Sequence, residues 1–464
     1  MATHRNAYGL AYSCSGPDSI QAFEATIRAY LAFDRGTGPA LKALAGIDPG
    51  MPMGRILKGN FLMLMGVGAL VEKARAEASA VLGKLAELEP REALHAEALA
   101  AWTDGSLKKA TAKWDAIAYE WPRDILAIKL ANFGHFYRGE SRQVRDGPAA
   151  ALDAWSTSDP EYSYLLSLLA FGHEECGDHV TAERLGRRAI ATNPADPWGV
   201  HAVSHVLEAT ERPREGVDWI ESHQPHWSAA NNFRYHVAWH KALFRLEAGD
   251  MDGALADYDG IVYSEKATEY LDICNDASLL ARLECAGVDV GDRWEGVATK
   301  VASRGLDLVM AFPDVHFILA LASSGDRRHR AIAETLCAQL DEFARHGNVD
   351  DADTYRRAGA ALGRAMLRYR NGHFQEAAEL LLDVESDLAI IGGSNAQRDL
   401  FRELTAECLW RESPGGAVTA GYLAQRAGHR PKDARLRARY LACLADASSG
   451  RSLDAAKARL GMTS

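Results

Sequence analysis

Five side chains between Trp198 and His240 carry the strongest chemical signal in this 464-residue chain. His201 and His205 stand four apart, and Glu208 follows three residues later. On an α-helix these three share one face. His236 and His240 repeat the four-residue spacing further on. Imidazoles four apart on a helix suit a divalent metal, Zn²⁺ or Fe²⁺. The same residues also suit general acid–base chemistry on an organic substrate, with Glu208 or Asp276 poising the rings. The spacing is not His-Glu-x-x-His, so no zincin assignment follows. No Ser-His-Asp order, Cys nucleophile or Gly-rich phosphate loop stands out, and Gly392-Gly393-Ser394 reads as a loop.

The elements that must position these groups are helices. Alternating β-branched runs are nearly absent, while Ala, Leu, Glu and Arg recur at helical spacing. Turn glycines set a repeat: Gly105, Gly177, Gly249 and Gly372 are each followed five residues on by alanine, at Ala110, Ala182, Ala254 and Ala377. Trp114, Tyr258 and Leu381 follow three of these glycines by nine, and Pro122 and Pro194 follow two of them by seventeen. The first three glycines are 72 residues apart, which is two units of 36, close to the roughly 34-residue tetratricopeptide period. Glycine ends one helix in a left-handed cap, alanine lets the next cross it closely, and proline breaks the chain before the following repeat.

The expected fold is all-α, a tetratricopeptide-like α-solenoid in one continuous domain over 1–464. Residues 1–60 form an N-terminal cap, 61–390 the repeat array with a His-rich concave face, and 391–464 the C-terminal capping helices. Ile125 to Tyr137, Tyr164 to Cys176, Val200 to Ala209, Phe233 to Glu247, Leu271 to Cys285 and Val315 to Ala322 are the candidate inner helices. They carry His135, then His173 and Glu174, then the His201 set, then His236 and His240, then Asn275 and Asp276, then His316. Trp198, Tyr235 and Trp239 interleave with them as candidate ligand contacts, and apolar walls with a few converging polar groups are the makeup of a small-molecule pocket. The alternative is an interaction scaffold holding a peptide in the groove. Inner positions offering His and aromatics rather than Lys, Arg and Asn favour the small molecule. Whether the chain is an enzyme, and whether it self-associates into a homo-oligomer, stays open.

Composition narrows the partners. With 52 basic against 63 acidic residues the net charge is −11, which argues against nucleic acid or an anionic membrane. Seven scattered cysteines without Cys-x-x-Cys, and an N-terminus without an apolar signal core, point to a reduced cytoplasmic protein. The longest apolar run, Phe61 to Val71, is too short for a bilayer, which takes about 20 residues.

Four segments resemble the family of tetratricopeptide repeat protein thirty-eight: FYRGESRQVRD (Phe136 to Asp146), AFGHEECGDHVTAERLGRRAIATNPADPWGVHAVSHVLE (Ala170 to Glu208), HVAWHKALFRLEAGD (His236 to Asp250) and DVHFILAL (Asp314 to Leu321). The resemblance runs from about residue 18 to about 440. It implies a single helical-repeat chain and implies little about activity. By the same resemblance His201, His205, His236, His240 and His316 match histidines of the family motif. Arg212-Pro213 and His223-Gln224-Pro225-His226 are less typical, so specificity would differ there.

Overall fold

The computed structural model describes residues 2–446; Met1 and 447–464, the end of the expected C-terminal cap, lie outside the described residues. The chain is an all-α, tetratricopeptide-like solenoid of antiparallel helix pairs. Its turns follow the punctuation of the sequence. Gly105, Gly177, Gly249 and Gly372 take φ of 75°, 81°, 83° and 81°, where a side chain would be strained. Ala110, Ala182, Ala254 and Ala377 are fully buried at the helix crossings, with Trp114, Tyr258 and Leu381 packed one turn on.

Six inner helices carry the candidate residues: Ile125–Tyr137, Tyr162–Glu175, Pro197–Ala209, Phe233–Glu247, Tyr270–Cys285 and Ala311–Ser323. Four of them, Ile125–Tyr137, Tyr162–Glu175, Pro197–Ala209 and Ala311–Ser323, are largely apolar, and they end up buried on several sides. The Pro197–Ala209 helix shows how local sequence fixes one of them. Asp196 caps it, its Oδ1 accepting from Trp198 N at 3.0 Å and Gly199 N at 3.3 Å, with Pro197 in the first turn. Such a cap is worth about 1 kcal/mol. Ser167 Oγ donates to the other oxygen of Asp196 at 2.5 Å and ties the cap to the preceding inner helix.

Three features differ from the sequence reading. The N-terminal region opens with a β-hairpin, Ala2–Arg5 paired antiparallel with Ala11–Cys14. The apolar run Phe61 to Val71, at the start of the expected repeat array, is interrupted at 65–67, between helices Pro52–Leu64 and Val71–Leu82. The third difference is the largest. Helix Asn395–Glu412 does not merely cap the end; it runs against the inner helices. Arg398 pairs with Glu175 at 3.2 Å, Arg282 donates to Ala396 O at 2.8 Å, and the Phe401 ring meets His316. The other side of the interior is closed by the N-terminal third. Asn231 N donates to Phe33 O at 2.7 Å, Arg304 to Gly66 O at 2.7 Å, and Asp351 N to Gly105 O at 3.0 Å. The superhelix therefore curls until distant repeats touch, and a central interior replaces an open groove. No described helix is long and apolar enough to cross a membrane.

Candidate metal centre and aromatic cavity

His201, His205, His236 and His240 converge across the contact between Pro197–Ala209 and Phe233–Glu247. One nitrogen from each of the four lies within 4.8 Å of the other three, and all four residues are buried. His201 Nε2 stands 2.9 Å from His205 Nε2 and 3.0 Å from His236 Nε2. His236 donates its Nδ1–H to Asn275 Oδ1 at 3.0 Å, so in the neutral ring Nε2 bears a lone pair aimed at His201. His201 Nε2 can hold a proton or a lone pair, never both. Neutral rings therefore cannot turn both of its short contacts into good hydrogen bonds. Neither nitrogen of His240 has a partner, nor has Nδ1 of His201. Buried polar atoms are rarely left this way.

Burial, reinforced by the neighbouring rings, pushes His201 and His240 well below the ordinary imidazole value, and His205 likewise. Burial pushes His236 down to about 4. The cluster is thus a set of neutral imidazoles, the protonation state a metal ion requires. Tetrahedral bonds of about 2.0–2.1 Å put ligand nitrogens about 3.3 Å apart, and the two Nε2 separations from His201 are within a few tenths of an ångström of that spacing. Behind His205 lies Glu174, with Oε2 at 3.7 Å from His205 Nδ1 and no hydrogen-bond partner of its own. Burial, then Glu175 and Glu208, raise the Glu174 carboxyl well above the usual range.

His201 and His236 also form one wall of a cavity of about 270 Å³. That is close to the lower end, about 300 Å³, of pockets that hold small organic molecules. Its lining is rich in aromatic side chains, including Tyr30, Phe33, Phe133, Phe171, Trp198 and Phe233, and also carries Glu269 and Asp272. Phe33, on a backbone of φ 53°, stacks on Phe233 at 4.2 Å and on Trp198 at 5.8 Å between centroids. Lys129 is buried beside this wall, its Nζ 4.1 Å from the Phe133 ring centroid and 4.3 Å from that of Trp198. Burial brings its amine down to about 7. On the opposite side Tyr137 and Tyr270 share a hydroxyl hydrogen bond of 3.1 Å.

The remaining sequence candidates fall elsewhere. Glu208 does not join the histidines: Arg430, from beyond the inserted helix, takes it at 2.7 Å and draws it toward a second, charged cavity. His135 is held by Asp115 and Glu140 at 3.0 Å and 2.6 Å, and these carboxylates raise it to about 9 against the cost of burial. His173 binds Asp178 at 3.0 Å across its turn, which makes it a turn residue and not a cavity contact. Tyr235 pairs with Arg234 outside the cavity lining. Trp239 stacks behind His236 at 5.3 Å, supporting the ring rather than lining the space. Asp276 pairs with Lys300 at 2.8 Å. His316 Nδ1 donates to Phe312 O at 2.8 Å, one helical turn beneath the cavity. Trp198 is in the lining.

Sequence reasoning missed Lys129 and left Asn275 and Glu174 outside its site set. Lys129 carried a signal, as the lone charge in the apolar run ILAIKLANF. Phe33 carried none, because nothing local links it to Trp198, 165 residues away.

No protein-family model matches the chain. Among solved structures it is similar to the human IFIT1 dimer with PPP-AAAA, with 11% identity over 94% of this chain and 96% of that one and a TM-score of 0.39. It is similar also to the human IFIT1 dimer with m7Gppp-AAAA, with 13% identity, coverage of 94% and 96%, and a TM-score of 0.35. A third is Naa15/Naa10 bound to HypK-THB, with 13% identity, 95% of this chain and 68% of that one covered, and a TM-score of 0.25. The expectation that nucleic acid is no partner is corrected here. It rested on net charge alone, and the IFIT1 chains, which are helical-repeat chains like this one, are seen with PPP-AAAA and m7Gppp-AAAA.

Proposed function

We propose that this chain is a small-molecule-binding helical-repeat protein whose His201, His205, His236 and His240 hold a divalent metal ion, Zn²⁺ or Fe²⁺, at the wall of the aromatic cavity. The observation that carries the reading is the unsatisfied His cluster. Three Nε2 atoms meet within 3.0 Å contacts that protons cannot satisfy together, beside a buried fourth ring with no partner at all. A cation resolves this arrangement and hydrogen bonding does not. When bound, such an ion supplies Lewis-acid polarisation of a ligand oxygen. The chain's own residues do the rest. Asn275 holds the His236 tautomer, Glu174 stands behind His205, and the aromatic walls exclude water from the space in front. A buried network that only fixes a helix crossing would have its donors and acceptors matched, which these are not. The peptide-groove alternative is weakened by Asn395–Glu412, which lies where a peptide would lie.

We further propose a single continuous domain of cytoplasmic location, belonging with the tetratricopeptide repeat protein thirty-eight family. The matching His-bearing segments support that membership. The test is elemental analysis of the purified, untagged protein beside a His201→Ala/His205→Ala double variant, with circular dichroism on both. Near-stoichiometric zinc or iron, lost in a variant that keeps its helix content, is the expected result. Absence of metal from the wild-type chain after loading with either ion would sink the reading.

A further inference from the structure

Two carboxylates line the aromatic cavity, and no described lysine or arginine does. Glu269 and Asp272 stand at the start of helix Tyr270–Cys285, where they close a capping box. Glu269 N donates to Asp272 Oδ2 at 3.3 Å, and Asn232 Nδ2 donates to the same oxygen at 2.8 Å. Both donors are neutral, and both use Oδ2, which leaves Oδ1 for a ligand. Asp272 is 1% exposed, whereas Glu269 is exposed at the cavity mouth. Neither is ion-paired among the described residues. Arg304 and Arg234 act on Glu269 from outside the lining, and both have other partners. Arg304 holds Asp307 and Gly66 O, and Arg234 holds Ala230 O and the Tyr235 hydroxyl. Burial, then Glu269 and Asp276, raise the Asp272 carboxyl to about 7. An anion disfavoured by burial and by like charges is stabilised by a cation brought beside it.

The surrounding rings suit the same charge, because the face of an aromatic ring attracts a desolvated ammonium ion. Tyr270 follows Glu269 in the chain, and its hydroxyl meets that of Tyr137 at 3.1 Å. Tyr30 and Phe61 pack together in the same lining, ring centroids 4.9 Å apart. Lys129 stays behind the opposite wall, beside Phe133 and Trp198, and does not enter the lining. The space of about 270 Å³ limits the occupant to a small molecule. We infer that the cavity binds a small arylalkylammonium ion, its nitrogen received by Asp272 and Glu269 and its ring among Phe33, Trp198 and Phe233. The inference rests on the small-molecule reading of the cavity and not on the metal. An ion in the His cluster would oppose the ammonium from the His201–His236 wall, so binding is measured with and without it.

The test is isothermal titration of the full-length chain at pH 7.5, as purified and after stripping with a chelator. Three probes share one ring system: 2-naphthylmethylamine, the neutral 2-naphthylmethanol and the anionic 2-naphthoate. The amine is expected to bind about tenfold or more tightly than the alcohol, and naphthoate more weakly than the alcohol. The same order is expected in the stripped chain, with a wider gap. Asp272→Asn keeps a side-chain acceptor for the helix cap. It should weaken the amine about tenfold and leave the alcohol within about twofold of wild type. If circular dichroism shows that this variant has lost helix content, Glu269→Gln at the exposed mouth carries the test, with a loss of about threefold for the amine alone. Alcohol or naphthoate binding as tightly as the amine, in either preparation, overturns the inference and leaves the small-molecule reading standing. So does a folded variant that keeps full amine affinity or loses amine and alcohol equally. If none of the three probes binds, the small-molecule reading falls and the inference falls with it.

Discussion

Asn275 provides the sharpest test of how the cluster is held. It is buried, and its Oδ1 accepts the Nδ1 proton of His236, itself buried, at 3.0 Å. That bond keeps the second His236 nitrogen bare and pointed at His201. Asn275→Ala removes the acceptor without touching a ring. The stranded His236 donor then costs about 1–3 kcal/mol if it stays in place. The imidazole has an escape: its proton can shift to Nε2, where it faces His201 and must be expelled before an ion can enter. Either route taxes the bound state, and outer partners of this kind typically carry 10–100-fold in metal affinity. Since 1.4 kcal/mol corresponds to tenfold, the two figures agree. The assay is competition for Zn²⁺ against a chromophoric chelator at pH 7, with thermal melts of the metal-free proteins alongside. Asn275→Asp, which keeps an acceptor at the same place, should retain or exceed wild-type affinity. Affinity of Asn275→Ala within twofold of wild type would refute the argument that this tautomer governs the site.

Two further outcomes follow from groups outside the cluster. His316 is held at about 4 by burial, against about 6.5 unfolded, so below pH 6.5 the unfolded chain takes up a proton that the folded chain refuses. Its stabilising contribution is complete above that pH and falls as pH drops toward 4, by about 2 kcal/mol between pH 7 and pH 5. His316→Phe should flatten the pH dependence of urea unfolding by that amount; parallel curves would show that His316 does not titrate this way. Gly172→Ala would place a Cβ 2.4 Å from the Cα of Arg145 on the neighbouring helix, whereas a Cβ at Gly421, inside helix Ala417–His429, meets nothing within 4 Å. Gly172→Ala should cost about 1–3 kcal/mol or more, and Gly421→Ala should gain about 0.5–1 kcal/mol as a helix-interior replacement. Melting temperatures that fail to split in this order would contradict the close crossing of Ser141–Ala151 and Tyr162–Glu175.

The repeat was legible because its cause is local. A glycine at 105, 177, 249 or 372 must turn left-handed, and an alanine five residues on must sit at a crossing, whatever the rest of the chain does. The inner helices were legible for the same reason: ILAIKLANF and VHAVSHVLE are apolar nearly all round and can only be buried. His201, His205, His236 and His240 could be paired off by helical spacing, although how the two pairs face each other needed the structure. Superhelix closure was not legible. Nothing within a 36-residue unit says that Phe33 will stack on Trp198, or that Arg430 will reach back to Glu208 and turn it from the histidines. Those contacts depend on curvature accumulated over five or six repeats, and small per-repeat rotations leave no mark on residue type. The N-terminal hairpin escaped for a different reason: ATHR and AYSC are too short and too mixed in polarity to show a period of two.

The inserted helix also sets an order of events. A tetratricopeptide array can ordinarily acquire its structure unit by unit as the chain emerges, each repeat resting on the one before. Here Glu175, Arg282 and His316 wait for Asn395–Glu412, whose residues are made more than 70 positions after the last of them. Until that helix arrives, six apolar inner helices share an interior with nothing running through it. Synthesis therefore ends with the placing of a keystone, and a chain stopped short of residue 395 would keep its repeats but present a wet, unfinished core to the cell's chaperones and proteases.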